Sequence, residues 1–238
     1  FETNPSIDVN FSDALSGTRQ IKMLGLSSPY ILISEENIPM VRGASQAYGL
    51  TFTPGTWVES IQISKGAGSV TNGFESITGQ INSELQKPSF DAPFFLNLYG
   101  SINGRYEVNM HTNYKLGDKL SVGLYTHADK RSQKFDNNGD DFIDLPISDQ
   151  VNIMNRWQYI NNEKGWISLF SWRWMKDEKL LGSVDFIPSI HKGKLNKWGS
   201  EIDTNRFDSS FKMGYVFPHI PYQSFGFQSA FSIHDQQS

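Results

Sequence analysis

The chain has 238 residues, a formal net charge of −4 and no cysteine, and 13% of its residues are aromatic. The lack of cysteine excludes disulfides and thiolate metal ligands, and the mild acidity argues against nucleic acid as a partner. No apolar run reaches the length of about 18 residues that a transmembrane helix needs, although strands of a membrane barrel are short and only half apolar. Because the chain starts at Phe1 without a signal peptide, we expect it to be a piece of a longer protein.

The first 54 residues predict short strands and a loop. Residues 1–20 are polar and show no pattern, whereas residues 21–26 and 30–33 are apolar and predict strands. Residues 40–54 are rich in glycine, serine and other small residues, and they carry Arg42, Tyr48 and Phe52. Because binding residues often lie in flexible segments, we expect these three side chains to contact a ligand. A solvated connector is the alternative.

Residues 57–88, WVESIQISKGAGSVTNGFESITGQINSELQKP, predict two strands joined through a glycine-rich segment. The spacing of Gly66 and Gly68 fails the dinucleotide-binding fingerprint at Thr71, and Phe74 stands where a phosphate loop needs lysine. The side chains between Lys65 and Gly79 are mostly small. We therefore predict a structural role for this segment, with members Lys65, Gly66, Gly68, Gly73 and Gly79.

From residue 94 onward the chain alternates apolar and polar residues in stretches of about ten, the length of a tilted strand that crosses a bilayer. Tyr106, Val108 and Met110, for example, alternate with Glu107, Asn109 and His111, which predicts a lipid-facing and an inward-facing side. The alternation is less regular in residues 151–160 and 166–175, because Met154, Ile167 and Leu169 fall on the wrong face.

The predicted connections between these strands alternate in length. Residues 103–104, 115–119, 161–165 and 218–224 predict short turns, and residues 129–150 and 176–205 predict long polar loops. Outer-membrane barrels have short periplasmic turns and longer outer loops. A soluble β-sandwich gives no reason for this alternation.

Residues 57–88 resemble the end of the plug domain in TonB-dependent outer-membrane receptors, which reads like IESIEVIKGPGSVLYGSNAIGGVINIITK. The shared positions are Glu59, Ile61, Lys65, Gly66, Gly68, Ser69, Val70, Gly73, Ile77, Gly79, Ile81, Asn82 and Lys87. Residues 21–25 and 30–40 stand where the family has two earlier plug strands. Leu24, Glu36-Asn37 and Gln80 depart from the family pattern and resemble a Bacteroidetes-type subgroup.

The resemblance implies a mostly β fold, with a plug domain followed by the N-terminal strands of a large antiparallel transmembrane β-barrel of about 22 strands. Residues 1–90 would be the C-terminal portion of the plug, and residues 91–238 about the first seven barrel strands. It also implies a transporter, not an enzyme, in the outer membrane of a Gram-negative bacterium. Its partners would be membrane lipids, TonB (through a segment outside this chain) and a scarce nutrient such as a ferric siderophore or another metal complex. The alternative is a secreted soluble β-sandwich that binds glycans.

One polar cluster predicts a cation site in an outer loop. Asp136, Asn138, Asp140 and Asp144 match the first, third, fifth and ninth positions of a calcium loop, but Asp141 replaces the glycine and Ile147 the bidentate glutamate. A solvated acidic loop is the alternative. The histidines have no metal-ligand spacing, and His111, His127 and His234 fall on the predicted inward face. No nucleophile motif occurs, so the sequence predicts no catalytic residue.

Overall fold

The computed structural model describes residues 5, 7–11, 19–46, 49–69, 74–194, 197–220 and 222–238. The chain divides into two compact units. The first unit comprises residues 1–85, 133–147 and 180–201, and the second comprises residues 86–132, 148–179 and 202–238. Because these units interleave along the chain, the domain limits at residues 90 and 91 stay a prediction.

The first unit contains two small sheets. A two-stranded antiparallel sheet pairs β1 (Ile7–Phe11) with β2 (Arg19–Met23). A four-stranded sheet has the order β4-β3-β6-β5, and its members are β3 (Ile31–Glu35), β4 (Ile38–Pro39), β5 (Val58–Lys65) and β6 (Gly79–Leu85). β6 runs parallel to β3 and antiparallel to β5. The predicted strand pair of residues 57–88 is therefore β5 and β6, whereas β1 lies in a segment that the sequence predicts to be patternless.

β2 and β3 have other bounds than predicted: β2 begins two residues earlier and ends at Met23, and β3 begins one residue later and ends at Glu35. Leu24 has a φ of 52°, and Leu26 pairs back to Met23 through backbone hydrogen bonds of 2.9 and 3.1 Å. β3 begins at Ile31, after a 3₁₀ turn. It ends at Glu35, and the two turn residues that follow, Glu36 and Asn37, both have positive φ, as tight hairpin turns require. Glu36 and Asn37 thus form the two-residue turn between β3 and β4.

The core of the first unit lies between its two sheets. Met23 is fully buried, and Ile21, Ile31 and Ile81 are each at most 2% exposed. Ile7 of β1 packs in the same cluster. Residues 40–57 contain three short 3₁₀ turns, Gly43–Gln46, Gly49–Thr51 and Gly55–Trp57. The predicted loop, residues 40–54, thus contains the first two of these turns, and the third turn follows it and ends at the fully buried Trp57.

A seven-stranded sheet forms the rest of the described fold, with its strands in the order β13-β12-β11-β10-β9-β8-β7. The members are β7 (Phe94–Gly100), β8 (Arg105–Lys115), β9 (Leu120–Arg131), β10 (Ile147–Asn161), β11 (Trp166–Gly182), β12 (Gly199–Val216) and β13 (Ser224–Gln237). Each strand therefore neighbours the next along the chain, as in an up-and-down barrel. One short helix, α1 (Pro188–His191), lies between β11 and β12.

The two faces of this sheet differ as the alternation predicts. In β8, Tyr106 and Val108 are 59% and 45% exposed, whereas Asn109 and His111 are 1% and 3% exposed. A sandwich would cover the Tyr106 face with a second sheet, and this exposure does not favour the glycan-binding alternative. Met154 and Leu169 lie on the buried face, at 3% and 8% exposure, which explains why their strands alternate less regularly.

The long connections are shorter than predicted. They comprise residues 132–146 between β9 and β10 and residues 183–198 between β11 and β12. The strands extend beyond the apolar stretches, because charged residues continue the pairing: Lys130 lies opposite Asp149, and their side chains form an ion pair of 3.0 Å. Within the described residues, no helix is both long and apolar enough to cross a membrane.

Candidate functional site

Arg42, the first residue predicted to contact a ligand, lies just before the 3₁₀ turn of residues 43–46. Its backbone nitrogen donates to the Ser45 hydroxyl at 2.9 Å, which fixes the turn. Its guanidinium binds Glu75 through two contacts, Nε to Oε1 at 2.5 Å and Nη2 to Oε2 at 2.8 Å, and lies 5.5 Å from the centre of the Phe74 ring. The Arg42 side chain is 44% exposed, whereas that of Glu75 is 9% exposed. The guanidinium is thus fixed in direction and still open to a ligand.

The structure describes one of the other two predicted ligand residues. Tyr48 lies outside the described residues. Phe52 is 2% exposed and is therefore a core residue of the first unit. Ligand contact at Phe52 would require this segment to open.

The structure describes the glycine-rich segment up to residue 69 and again from residue 74. Lys65 ends β5 and pairs with Gly79, the first residue of β6. Gly66 has a φ of 83°, and its N–H donates to the Thr78 carbonyl at 2.7 Å. Gly68 donates to the Ser76 carbonyl at 3.0 Å. Gly73 lies outside the described residues.

Among the described glycines of the glycine-rich segment, Gly79 is the position where a side chain has least room. A Cβ placed there would overlap the Met23 sulfur and lie 2.5 Å from the Ser64 carbonyl oxygen. Both neighbours belong to the first unit, and Met23 is in its core. The close packing that requires this glycine is therefore against β2 and β5.

The residues of the predicted calcium loop lie close together, but they bind one another and the backbone. Asp136 accepts hydrogen bonds from the N–H groups of Gly139, Asp140 and Asp141 at 2.7, 3.1 and 2.9 Å. Asn138 donates to Asp140 at 2.9 Å, and Asp144 accepts from the Asn137 backbone at 2.9 Å. Among the described residues, no three acidic, histidine or cysteine side chains converge on a metal position. Calcium binding stays a prediction.

The buried face of β8 and β9 carries a network of hydrogen-bonded polar groups. His127 Nδ1 lies 2.7 Å from the Asn109 oxygen, and its Nε2 lies 3.4 Å from Asp129. Asn109 also donates to Glu107 at 2.7 Å, and Arg105 lies 3.0 Å from Glu107. His127 is thus part of a polar network with side-chain partners, as expected for a lumen-type face.

A second charged cluster lies on the buried face of β11 and β12. Asp208 accepts from Arg173 Nη2 at 3.1 Å and from Arg206 Nε at 2.9 Å, and Ser232 of β13 donates to it at 2.7 Å. One carboxylate therefore binds two buried guanidinium groups. Sequence alternation places these residues on one face, but it does not show that they share a partner.

The described fold is that of TonB-dependent outer-membrane receptors. The ferric yersiniabactin uptake receptor FyuA from Yersinia pestis matches 98% of this chain and 37% of its own, with 16% identity and a TM-score of 0.69. The siderophore receptor PirA from Acinetobacter baumannii matches 96% of this chain over 36% of its own length, with 16% identity and a TM-score of 0.69. The iron transporter FrpB from Neisseria meningitidis matches 98% of this chain over 37% of its own length, with 13% identity and a TM-score of 0.65.

The match is in structure and not in sequence. No protein-family model matches the chain, and no curated protein matches it. The chain spans about a third of the length of the structures that it matches.

Proposed function

We propose that this chain is part of an outer-membrane receptor of a Gram-negative bacterium that takes up a scarce nutrient with energy supplied through TonB. The observation that carries the proposal is the combination of two structures in one chain. A small mixed sheet of the plug type precedes a meander of seven long strands with an exposed apolar face and a buried polar face. Receptors for siderophores and iron match both parts, since the alignments cover 96% to 98% of the chain.

The charge of the buried face supports an anionic cargo, such as a ferric siderophore or another metal complex. In the described second unit, the buried charged residues are Arg156, Arg173, Arg206 and Asp177. Asp208 neutralises part of this charge. Buried guanidinium groups at a surface of low dielectric favour negatively charged ligands.

Other parts of the proposal follow from the resemblance. TonB would bind a segment outside this chain, and membrane lipids would cover the exposed face of β8 to β12. Ligand contact would come from Arg42 and from buried-face side chains, with no catalytic step. A Bacteroidetes-type subgroup would explain Leu24 and Gln80.

Deletion of the complete gene tests the proposal. We expect the deletion strain to grow poorly when iron is scarce and bound to siderophores, and to recover on complementation with the intact gene. Growth that is unchanged with every chelated metal tested, in a strain without a redundant receptor, would contradict uptake of a metal complex. A soluble protein in the culture medium would contradict the membrane location.

A further inference from the structure

Residues 86–92, called the anchor segment below, lie between β6 and β7 and form hydrogen bonds with side chains of β8, β9 and β10. The Gln86 carbonyl oxygen accepts hydrogen bonds from Arg156 Nη1 at 2.7 Å and from the Tyr125 hydroxyl at 3.3 Å. Tyr125 is on β9 and Arg156 on β10, and neither is measurably exposed. The first residue of the segment is thus held from two neighbouring strands.

The middle of the anchor segment is bound by β10. Gln158 Oε1 accepts from the Ser89 hydroxyl at 2.6 Å and from the Ser89 N–H at 3.3 Å. Gln158 is 5% exposed, so these bonds are shielded from water. A buried acceptor that loses its donors costs more free energy than an exposed one.

The end of the anchor segment is bound by β8. Asp91 lies 2.9 Å from His111 Nε2 and accepts from Asn113 Nδ2 at 3.0 Å, while the Ala92 carbonyl accepts from the same amide at 2.7 Å. The His111 ring stacks on Phe95 with centroids 4.7 Å apart. Three consecutive strands therefore each supply buried groups to one short segment.

The sheet is also shaped to receive this segment. A Cβ at Gly123 of β9 would lie 3.0 Å from the Pro88 ring, 2.7 Å from Tyr125 and 2.5 Å from the Asn113 side-chain oxygen. Glycine at this position lets the segment and its partners approach the strand. The anchor segment thus contacts the sheet through side-chain hydrogen bonds and through the space that Gly123 leaves on β9.

We propose that residues 86–92 are a mechanical anchor, which stays bound to β8, β9 and β10 while residues that precede it rearrange during uptake. The inference rests on the proposed function, because only an energised receptor would pull on this segment. Pulling it off would break several partly buried hydrogen bonds together and leave Arg156, Gln158 and Asp91 without these partners. Force transmitted along the chain would therefore stop at Gln86, and β7 would keep its place in the sheet.

Hydrogen exchange on the complete receptor in detergent tests the contacts. We expect backbone amides of residues 86–92 to exchange about tenfold faster in Gln158→Met and in Tyr125→Phe than in the wild type. Ser171→Ala is the matched control, because it removes a side-chain bond of 2.7 Å to Ser210 in the same sheet and leaves the segment alone. Unchanged exchange in both variants, or an equal increase in the control, would overturn the proposal.

Cross-linking tests whether the anchor stays bound during uptake. The chain contains no cysteine, so a Ser89→Cys/Gln158→Cys pair can be bridged selectively with a short bifunctional thiol reagent. We expect the bridged receptor to retain the energy-dependent uptake of the same variant before bridging, with the two single-cysteine variants as reagent controls. Uptake that is lost only on bridging would overturn the anchor. A receptor that shows no energy-dependent uptake before bridging would instead contradict the proposed function, and the exchange result would stand separately.

Discussion

Gly79 of β6 lies directly against the Met23 side chain of β2, with no room between them for a Cβ atom. This contact joins the two sheets of the first unit at a fully buried core residue. Gly79→Val should therefore overpack the core, at a cost of about 1–3 kcal/mol or more. We expect a clear loss of folded receptor from the outer membrane, measured by heat-modifiable migration and immunoblotting.

Gly55→Ala is the control for this prediction, since a Cβ at Gly55 meets no atom within 4 Å. Equal amounts of receptor in Gly79→Val and Gly55→Ala would contradict the structural role of Gly79. Normal abundance together with lost ligand binding in Gly79→Val would mean that this segment binds the ligand. The matching prediction for Gly73, reduced abundance in Gly73→Val, lies outside the described residues and stays a prediction.

Sequence alone predicts the fold class because its signal is local. Residues 106–114 and 120–128 alternate cleanly, and β8 and β9 occur where expected. The ends of the strands were less predictable, since pairs such as Lys130 and Asp149 continue the sheet in a polar stretch. The parallel pairing of β3 with β6, which aligns Ile33 with Ile81, depends on contacts distant in sequence and has no local pattern.

The candidate site was less predictable than the fold, because its contacts also join residues that are distant in sequence. The small-residue segment draws attention to Arg42, but its partner Glu75 is 33 positions away. Phe52 shows why residue type alone is a weak guide, because an aromatic residue in a loop is as suitable for a core as for a ligand. The bonds from Tyr125 and Arg156 to Gln86 cross 39 and 70 positions, and no motif marks them.

The exposed face of β8 should contact lipid. We expect a spin label at Val108 to be accessible to oxygen and shielded from a water-soluble nickel reagent, in the complete receptor in bilayers. A label at Asn109 on the buried face should lack the high oxygen accessibility. Because a shift by one residue exchanges the two faces of a strand, the opposite result would contradict the assignment.

Arg42→Ala should weaken ligand binding and leave the amount of folded receptor nearly unchanged. The side chain is 44% exposed, and ion pairs at such positions contribute about 0–1 kcal/mol to stability. Glu75→Gln keeps the shape of the partner and the Arg42 charge, so it should retain most binding. Ligand affinity and receptor abundance, measured on the same membrane preparation, separate these effects. An equal loss of binding in both variants would mean that the pair acts only as a structural unit.

The loop around Asp136 should bind calcium if the sequence pattern reflects a cation site. We expect calorimetry on the complete receptor to detect binding at millimolar calcium, and the double variant Asp136→Asn/Asp140→Asn to abolish it. Asp118→Asn, in the short turn between β8 and β9, is the control. The absence of any binding would leave the hydrogen bonds from Gly139 and Asp141 to Asp136 as the full explanation of this loop.

Energy-dependent accumulation of a radioactive ferric siderophore, from a panel of anionic chelates, tests uptake most directly. The complete receptor should be expressed in a strain that lacks its own siderophore receptors, with and without a matching TonB and with and without a protonophore. We predict accumulation of at least one anionic chelate that requires both TonB and the proton gradient. Accumulation that is independent of both, or equal to that of cells without the receptor for every chelate in the panel, would contradict the proposal.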